Sequence, residues 1–392
     1  MANPQFVLNT SHIIIDGLFE SIPILLSFIA ISFGAGEKET GIIISLAIMG
    51  STLLGLSTIF FSRYFGLLRT LSLVIVLYGI GFFANAFSRN IYFAGFCFII
   101  AIAGHSVFHN TAFAYLTSNS DRQSLGKAMG NFTAIGDIGR VPFASLAGFI
   151  VASSVFGFPG WRIACLTYGL GAILFAGYLL FTSFTIKETD YRGFLSTTRI
   201  KRNFPSFALL RNRQYALAIS ASILDGFSSD QIFTFLPYLL FAKGIDPKII
   251  GTFALAFTLG CFLGKVLCGR TIDLFGARNV FIAAETVMAI LLVALVLGQQ
   301  VLMIAGTSLL LGVVTKGTVP VVQTIITEPV KEKCYDDIFA ISSFFRGVTS
   351  MVTPLLFGFI ASSIGVNWIY GIMAVAAASA VIPVLIMNTR SI

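Results

Sequence analysis

Asp16 and Glu20 stand four residues apart in an otherwise apolar stretch, and so do His105 and His109. On a helix that spacing puts both members of a pair on one face. Two carboxyls sharing a face away from water are suited to take up and release a proton. Glu20 is the stronger candidate of the two, because it lies nearer the middle of its apolar run, with Asp16 sharing the load. The same pair would also serve as polar caps solvated at a helix mouth. His105 and His109 can relay protons or, when protonated, hold an anion. Their spacing equally suits two metal ligands, but no cysteine or third histidine joins them, so no metal is expected. Two satisfied structural histidines would look the same.

Asp137 and Arg140 are three apart, where opposite charges pair within one helix. The alternative leaves Arg140 free to grip a carboxylate or phosphonate once Asp137 binds a proton. Arg346 would be a second such fork, since guanidinium matches those anions in shape. Lys316 lies too deep in its run for the ammonium to reach an interface, so it is expected to serve substrate binding from an internal face. Asp225 and Asp230 differ by five positions, about 140° around a helix. They cannot both point squarely the same way, and Asp225 is the expected coupling partner of Asp16. Lys265 adjoins a glycine-rich loop and reads as a gate or a packing element. Glu285 fits no part of this pattern.

These residues matter because of where they are. The chain has 392 residues, 56% hydrophobic and 11% charged, with a mean hydropathy of +0.91. Soluble domains carry about 25% charged residues. Each charge at a bilayer centre costs at least about 2.5–3.5 kcal/mol, so one retained there is by default functional. Twelve apolar runs are long enough to cross, at roughly 10–33, 41–62, 68–87, 91–117, 124–154, 161–184, 214–242, 248–269, 279–297, 299–326, 336–364 and 366–388. In lipid such runs are helices, because every backbone group must be satisfied internally. The first run has no Lys or Arg before it and a second follows at once, unlike a signal peptide. The expected fold is therefore an all-α integral membrane protein: a six-helix bundle over 1–184, a linker over 185–213 and a second bundle over 214–392.

Seven of the 25 basic residues lie between Lys187 and Arg213. With both termini placed in the cytoplasm, sixteen basic residues fall inside and five outside, the bias of an inner-membrane protein. The +8 net charge thus reports topology and not a nucleic-acid partner. The five cysteines show no C-x-x-C spacing and read as packing residues.

The halves repeat. Ile15-Asp16-Gly17-Leu18 corresponds to Leu224-Asp225-Gly226-Phe227 at an offset of 209, and Gly148-Phe149-Ile150 to Gly358-Phe359-Ile360 at 210. Duplicated halves suit a carrier that alternates access to one site.

The run Gly269-Arg270-Thr271-Ile272-Asp273-Leu274-Phe275-Gly276-Ala277-Arg278 matches the G-x-x-x-D-x-x-G-x-R loop of the major facilitator superfamily, which the chain resembles over its whole length. That resemblance implies gating roles for Asp273 and Arg278. The equivalent stretch Ser62–Arg69 is degraded, with Ser62 where the family prefers Asp. Gly104-His105-Ser106-Val107-Phe108-His109, Gly136-Asp137-Ile138-Gly139 and the Ser11-His12…Asp16 opening resemble the fosmidomycin-resistance branch, a group of proton-driven exporters. Asp137 and Arg140 depart from that branch, which tends to neutral polar residues there.

The function implied is proton-coupled transport of a small organic anion or zwitterion by a monomer surrounded by lipid, with efflux favoured. Import of an anionic metabolite or metal chelate is the alternative. An enzyme would want H-E-x-x-H, G-x-S-x-G or a Cys-His cluster, and the chain has none. A sensor would carry a soluble output domain. The topology is checked by single cysteines at Ser196 and Glu39: a membrane-impermeant reagent applied outside should label the second and spare the first. Equal labelling from outside overturns it.

Overall fold

The computed structural model describes residues 4–119, 125–155, 157–185, 207–329 and 334–387. Most of the 185–213 linker, and Arg122, Lys331, Lys333 and Arg390, lie outside them. The apolar runs fold as helices, since lipid offers the backbone no other partner. In the first half these are α1 (Pro4–Ser32), α2 (Glu37–Gly55), α3 (Thr58–Phe65), α4 (Leu67–Asn85), α5 (Ile91–Ala103), α6 (His105–Asn119), α7 (Leu125–Val151) and α8 (Gly160–Thr185). In the second they are α9 (Arg213–Ser229), α10 (Ile232–Ala242), α11 (Ile250–Phe275), α12 (Ala277–Leu297), α13 (Val301–Thr327), α14 (Tyr335–Ile364) and α15 (Val366–Ile386). The only sheet among the described residues is a two-stranded hairpin, Ser154–Val155 with Phe158–Pro159.

Among the described residues every expected run is helical, and ten helical stretches are long and apolar enough to cross a membrane. Three runs differ from expectation by being broken. Run 41–62 is α2 and α3, run 91–117 is α5 and α6, and run 214–242 is α9 and α10. At the second break the freed N–H of Ser106 donates to Ser51 Oγ at 3.0 Å, so a side chain of α2 replaces the missing backbone acceptor.

The chain divides into two compact units, Met1–Lys201 with Pro247–Gly251, and Arg202–Asp246 with Thr252–Ile392. In the first, α1 packs on α7, α4 on α8 and α2 on α5. In the second, α15 packs on α9 and α12, and α9 also meets α14. The repeat extends to the backbone. The positive-φ glycines among the described residues pair across the halves: Gly34 with Gly244, Gly66 with Gly276 and Gly157 with Gly365, at offsets of 210, 210 and 208. Only glycine enters that left-handed region without strain, so the same turns recur.

Glycine also sets the closest helix approaches. A Cβ on Gly260 would run into the carbonyl of Leu309, and one on Gly264 into that of Val313, so α11 and α13 meet backbone to backbone. Gly306, on α13, has nothing within 4 Å. Gly260→Leu or Gly264→Leu should therefore cost at least the ~1–3 kcal/mol typical of overpacking and lower the thermal midpoint in detergent. Gly306→Ala should leave it unchanged. Equal midpoints for all three would contradict this packing.

Candidate functional site

In the first unit the close approach of α1 and α7 builds the site. A Cβ on Gly139 would collide with the backbone of Ile13, and one on Gly136 with the ring of His12. With the helices this close, the Arg140 side chain reaches across. Its Nε and Nη2 donate to Asp16 Oδ2 at 3.1 and 2.7 Å. Glu20 stands 3.8 Å and Asp137 3.5 Å from Arg140 Nε. Arg140 does pair within its own helix, as the i,i+3 spacing allows, but its shortest contact is to Asp16, from another helix. Asp16 is 2% exposed and the Arg140 side chain 19%, so the carboxylate is withdrawn from water while the guanidinium keeps an open edge.

Around that pair the histidines gather. His109 Nε2 lies 3.3 Å from Asp16 Oδ1, and His12 Nε2 lies 3.3 Å from Asp16 Oδ2. His12 Nδ1 meets the carbonyl of Phe132 at 2.9 Å, and its ring stacks on the Phe132 ring at 4.0 Å. The rings of His105 and His109 are 4.6 Å apart, edge to face. His105 Nδ1 bonds the Tyr78 hydroxyl at 2.8 Å, and its ring stacks on Phe19. The expectation that no third histidine joins His105 and His109 is thus corrected: His12 does, from α1. It sits four residues before Asp16, the same spacing that relates Asp16 to Glu20. The ligand atoms of His12, Asp16 and His109 lie within 4.8 Å of one another. The Arg140 guanidinium already places a fixed positive charge 2.7 Å from that carboxylate, which disfavours a divalent cation there.

The second unit holds a parallel arrangement without histidine. Arg346 on α14 donates from Nη1 to Asp225 Oδ2 at 3.1 Å and from Nη2 to Asp230 Oδ1 at 3.0 Å. Asp225 was expected to act without Asp230, on the 140° between them. The fork of one guanidinium takes both, and α9 ends at Ser229, so Asp230 sits at the break before α10. Thr318 donates to Asp225 Oδ1 and Ser350 to Asp230 Oδ2, each at 2.8 Å. Glu285, which had no place in the sequence pattern, is fully buried on α12 beside Asp225 and Ser228, with neither oxygen in a hydrogen bond of good geometry.

The remaining expected residues lie apart. Lys316 is half-buried on α13, with no ion pair among the described residues. Lys265 is half-buried within α11, and Asp273 is exposed near its end. Arg278 donates to the carbonyls of Met387 at 2.9 Å and Leu385 at 2.8 Å, satisfying acceptors left open where α15 ends.

The model of the Major Facilitator Superfamily matches residues 9–241 and again 218–391. The chain belongs to the major facilitator superfamily. Solved structures agree on the fold. A point mutant of the nucleoside transporter NupG aligns with a TM-score of 0.77 at 12% identity, over 99% of this chain and 100% of that one. The inward-open xylose transporter XylE from E. coli gives 0.74 at 15%, over 99% and 97%. A bacterial homolog of the human lysosomal transporter Spinster, inward-facing and occupied, gives 0.70 at 13%, over 99% and 96%. No curated protein matches. As a superfamily member the chain is a multi-pass membrane protein and a secondary transporter, not an enzyme.

Superfamily membership does not predict which charges pair, but the geometry does so testably. Removing one partner of a buried ion pair strands the other at a typical cost of about 3–5 kcal/mol. Arg140→Gln and Asp16→Asn should each lower the thermal midpoint, and the double variant should recover part of the loss. Losses that simply add would refute the pairing.

Proposed function

We propose that the chain is a proton-coupled transporter of a small organic anion or zwitterion, in which proton and anion bind together. The observation that carries this is the 2.7 Å contact of Arg140 with Asp16 inside the membrane. The guanidinium can leave that carboxylate cheaply only if another anion takes it, and the carboxylate can lose its counter-charge cheaply only by binding a proton. Each event makes the other easier, which is positive linkage between proton and anion. An inward proton gradient would then drive uptake.

Glu20 and Asp137 add two carboxylates around the one guanidinium, a place for the ammonium of a zwitterion. Asp225 and Arg346 repeat the proton-and-anion pairing in the second unit, with Lys316 as a cation without a competing carboxylate among the described residues. His105 and His109 supply protons or further donors to the first. Asp273, Arg278 and Lys265 serve gating in this reading. The charge bias supports cytoplasmic termini and an inner-membrane location. Efflux is the second reading, favoured by the motifs that resemble the fosmidomycin-resistance branch. It requires proton and substrate to compete, the opposite sign of linkage.

Proteoliposomes given an imposed pH gradient and radiolabelled carboxylates, phosphonates or amino acids test the sign. The expected result is accumulation in vesicles with an alkaline lumen. Asp16→Asn should abolish gradient-driven accumulation and retain exchange, and Glu20→Gln, at its longer distance, should do less. Lys316→Gln should weaken binding without loss of stability. Accumulation in vesicles with an acidic lumen would establish the efflux reading instead, and a preference for lipophilic cations would end the anion reading.

A further inference from the structure

His12 is 2% exposed, lies next to the Asp16–Arg140 pair, and has no part in the transport reading above. Its hydrogen bonding constrains its protons. The Phe132 carbonyl, 2.9 Å from Nδ1, can only accept, so Nδ1 carries a hydrogen. A neutral ring then has a bare Nε2, and that atom faces Asp16 Oδ2 at 3.3 Å. Lone pair would face lone pair between two groups that water does not reach. One proton between the two atoms turns this repulsion into attraction.

We propose that His12 is a proton-binding residue of the transport cycle, and that its Nε2 proton takes over from Arg140 as the partner of Asp16 Oδ2. The inference rests on the proton-coupled reading and deepens it. Both partners address the same oxygen, Arg140 at 2.7 Å and His12 at 3.3 Å. While the guanidinium is in place, Asp16 is held as carboxylate and the proton resides on His12. When a substrate anion draws Arg140 away, the Nε2–H bond of His12 breaks and an Oδ2–H bond forms on Asp16. His12 then accepts that hydrogen bond with its freed lone pair, and Nδ1–H stays on Phe132 throughout. Atoms and charge balance: Asp16 becomes neutral as His12 does, and the substrate's charge answers Arg140.

The groups around His12 are consistent with this exchange. From α6, His109 presents its ring edge-on at 5.1 Å, with Nε2 on the other oxygen of Asp16. From α7 come Arg140, Asp137, the Phe132 ring and carbonyl, and Gly136, whose missing side chain leaves room for the imidazole. Behind His109 stand His105 and Tyr78, which continue the chain of polar atoms away from Asp16.

The chain has three histidines, so histidine-selective 15N labelling yields three rings in solid-state NMR of the full-length protein in lipid. His12→Gln assigns one by its disappearance. If that variant fails to fold, His105→Gln and His109→Gln assign His12 by elimination. The expected His12 ring carries a hydrogen at both Nδ1 and Nε2 in the wild-type protein without substrate. Asp16→Asn should abolish the Nε2 hydrogen, and Arg140→Gln should leave the ring with the Nδ1 hydrogen alone, the other having passed to Asp16. A ring bare at Nδ1, or one without the Nε2 hydrogen in wild type, overturns the proposal. If His12 fails while vesicles still accumulate substrate on a pH gradient, only this inference falls. If His12 carries both hydrogens while transport ignores the gradient, the coupling reading falls instead.

Discussion

An arginine held against a buried aspartate constrains everything around it. Taking two such ions out of water costs several kcal/mol each, and only close geometry with further hydrogen bonds returns it. Arg140 meets that demand because α1 and α7 touch at Gly136 and Gly139, where no Cβ keeps the backbones apart. A side chain rooted on α7 can then place its guanidinium 2.7 Å from a carboxylate on α1. The glycines, the arginine and the aspartate are therefore one device. Loosening the helix contact would leave the charges separated in a medium that penalises them heavily.

The aspartate–arginine pairing recurs in both units but its surroundings do not. All three histidines belong to the first unit, where two of them face Asp16. In the second unit the guanidinium is shared between two aspartates, hydroxyls of Thr318 and Ser350 complete them, and a third carboxyl, Glu285, is buried alongside. Imidazole changes charge near neutral pH with no help from its environment, whereas carboxyl and guanidinium do not.

The helices were legible because lipid leaves hydropathy little freedom: an apolar run long enough to cross must be a helix. The breaks were not. Gly104, the pair Leu56–Ser57 and Asp230–Gln231 fall inside runs that overall length and hydropathy read as single spans. The charged residues were likewise visible one by one, since ionisable groups in apolar runs stand out. Their partners were not. Helical spacing relates Arg140 to Asp137, but the shorter contact is to a residue 124 positions away. His12 belonged to a motif without an assigned role, although its spacing from Asp16 carried the signal. Glu285 had no local partner to suggest one, because what it lies against is Asp225 on a different helix.

Two of the three breaks adjoin the charged residues, and this follows from the same physics. A broken helix frees backbone groups that lipid cannot satisfy, so irregular backbone survives only where protein or water meets it. His105 begins the helix after the break at Gly104, and Asp230 sits at the break between α9 and α10 while bonding Arg346. A place polar enough to tolerate an interrupted ladder is also one polar enough to tolerate an ion. The Ser106 N–H, answered by Ser51, shows the backbone side of that relation, and the Ser350 hydroxyl on Asp230 shows the side-chain side. An interrupted helix also bends at lower cost than a continuous one, because no hydrogen bond must first be broken. His105 and Asp230 therefore stand at the points where their own helices give most easily, whereas Asp16 and Arg140 are held on the unbroken α1 and α7.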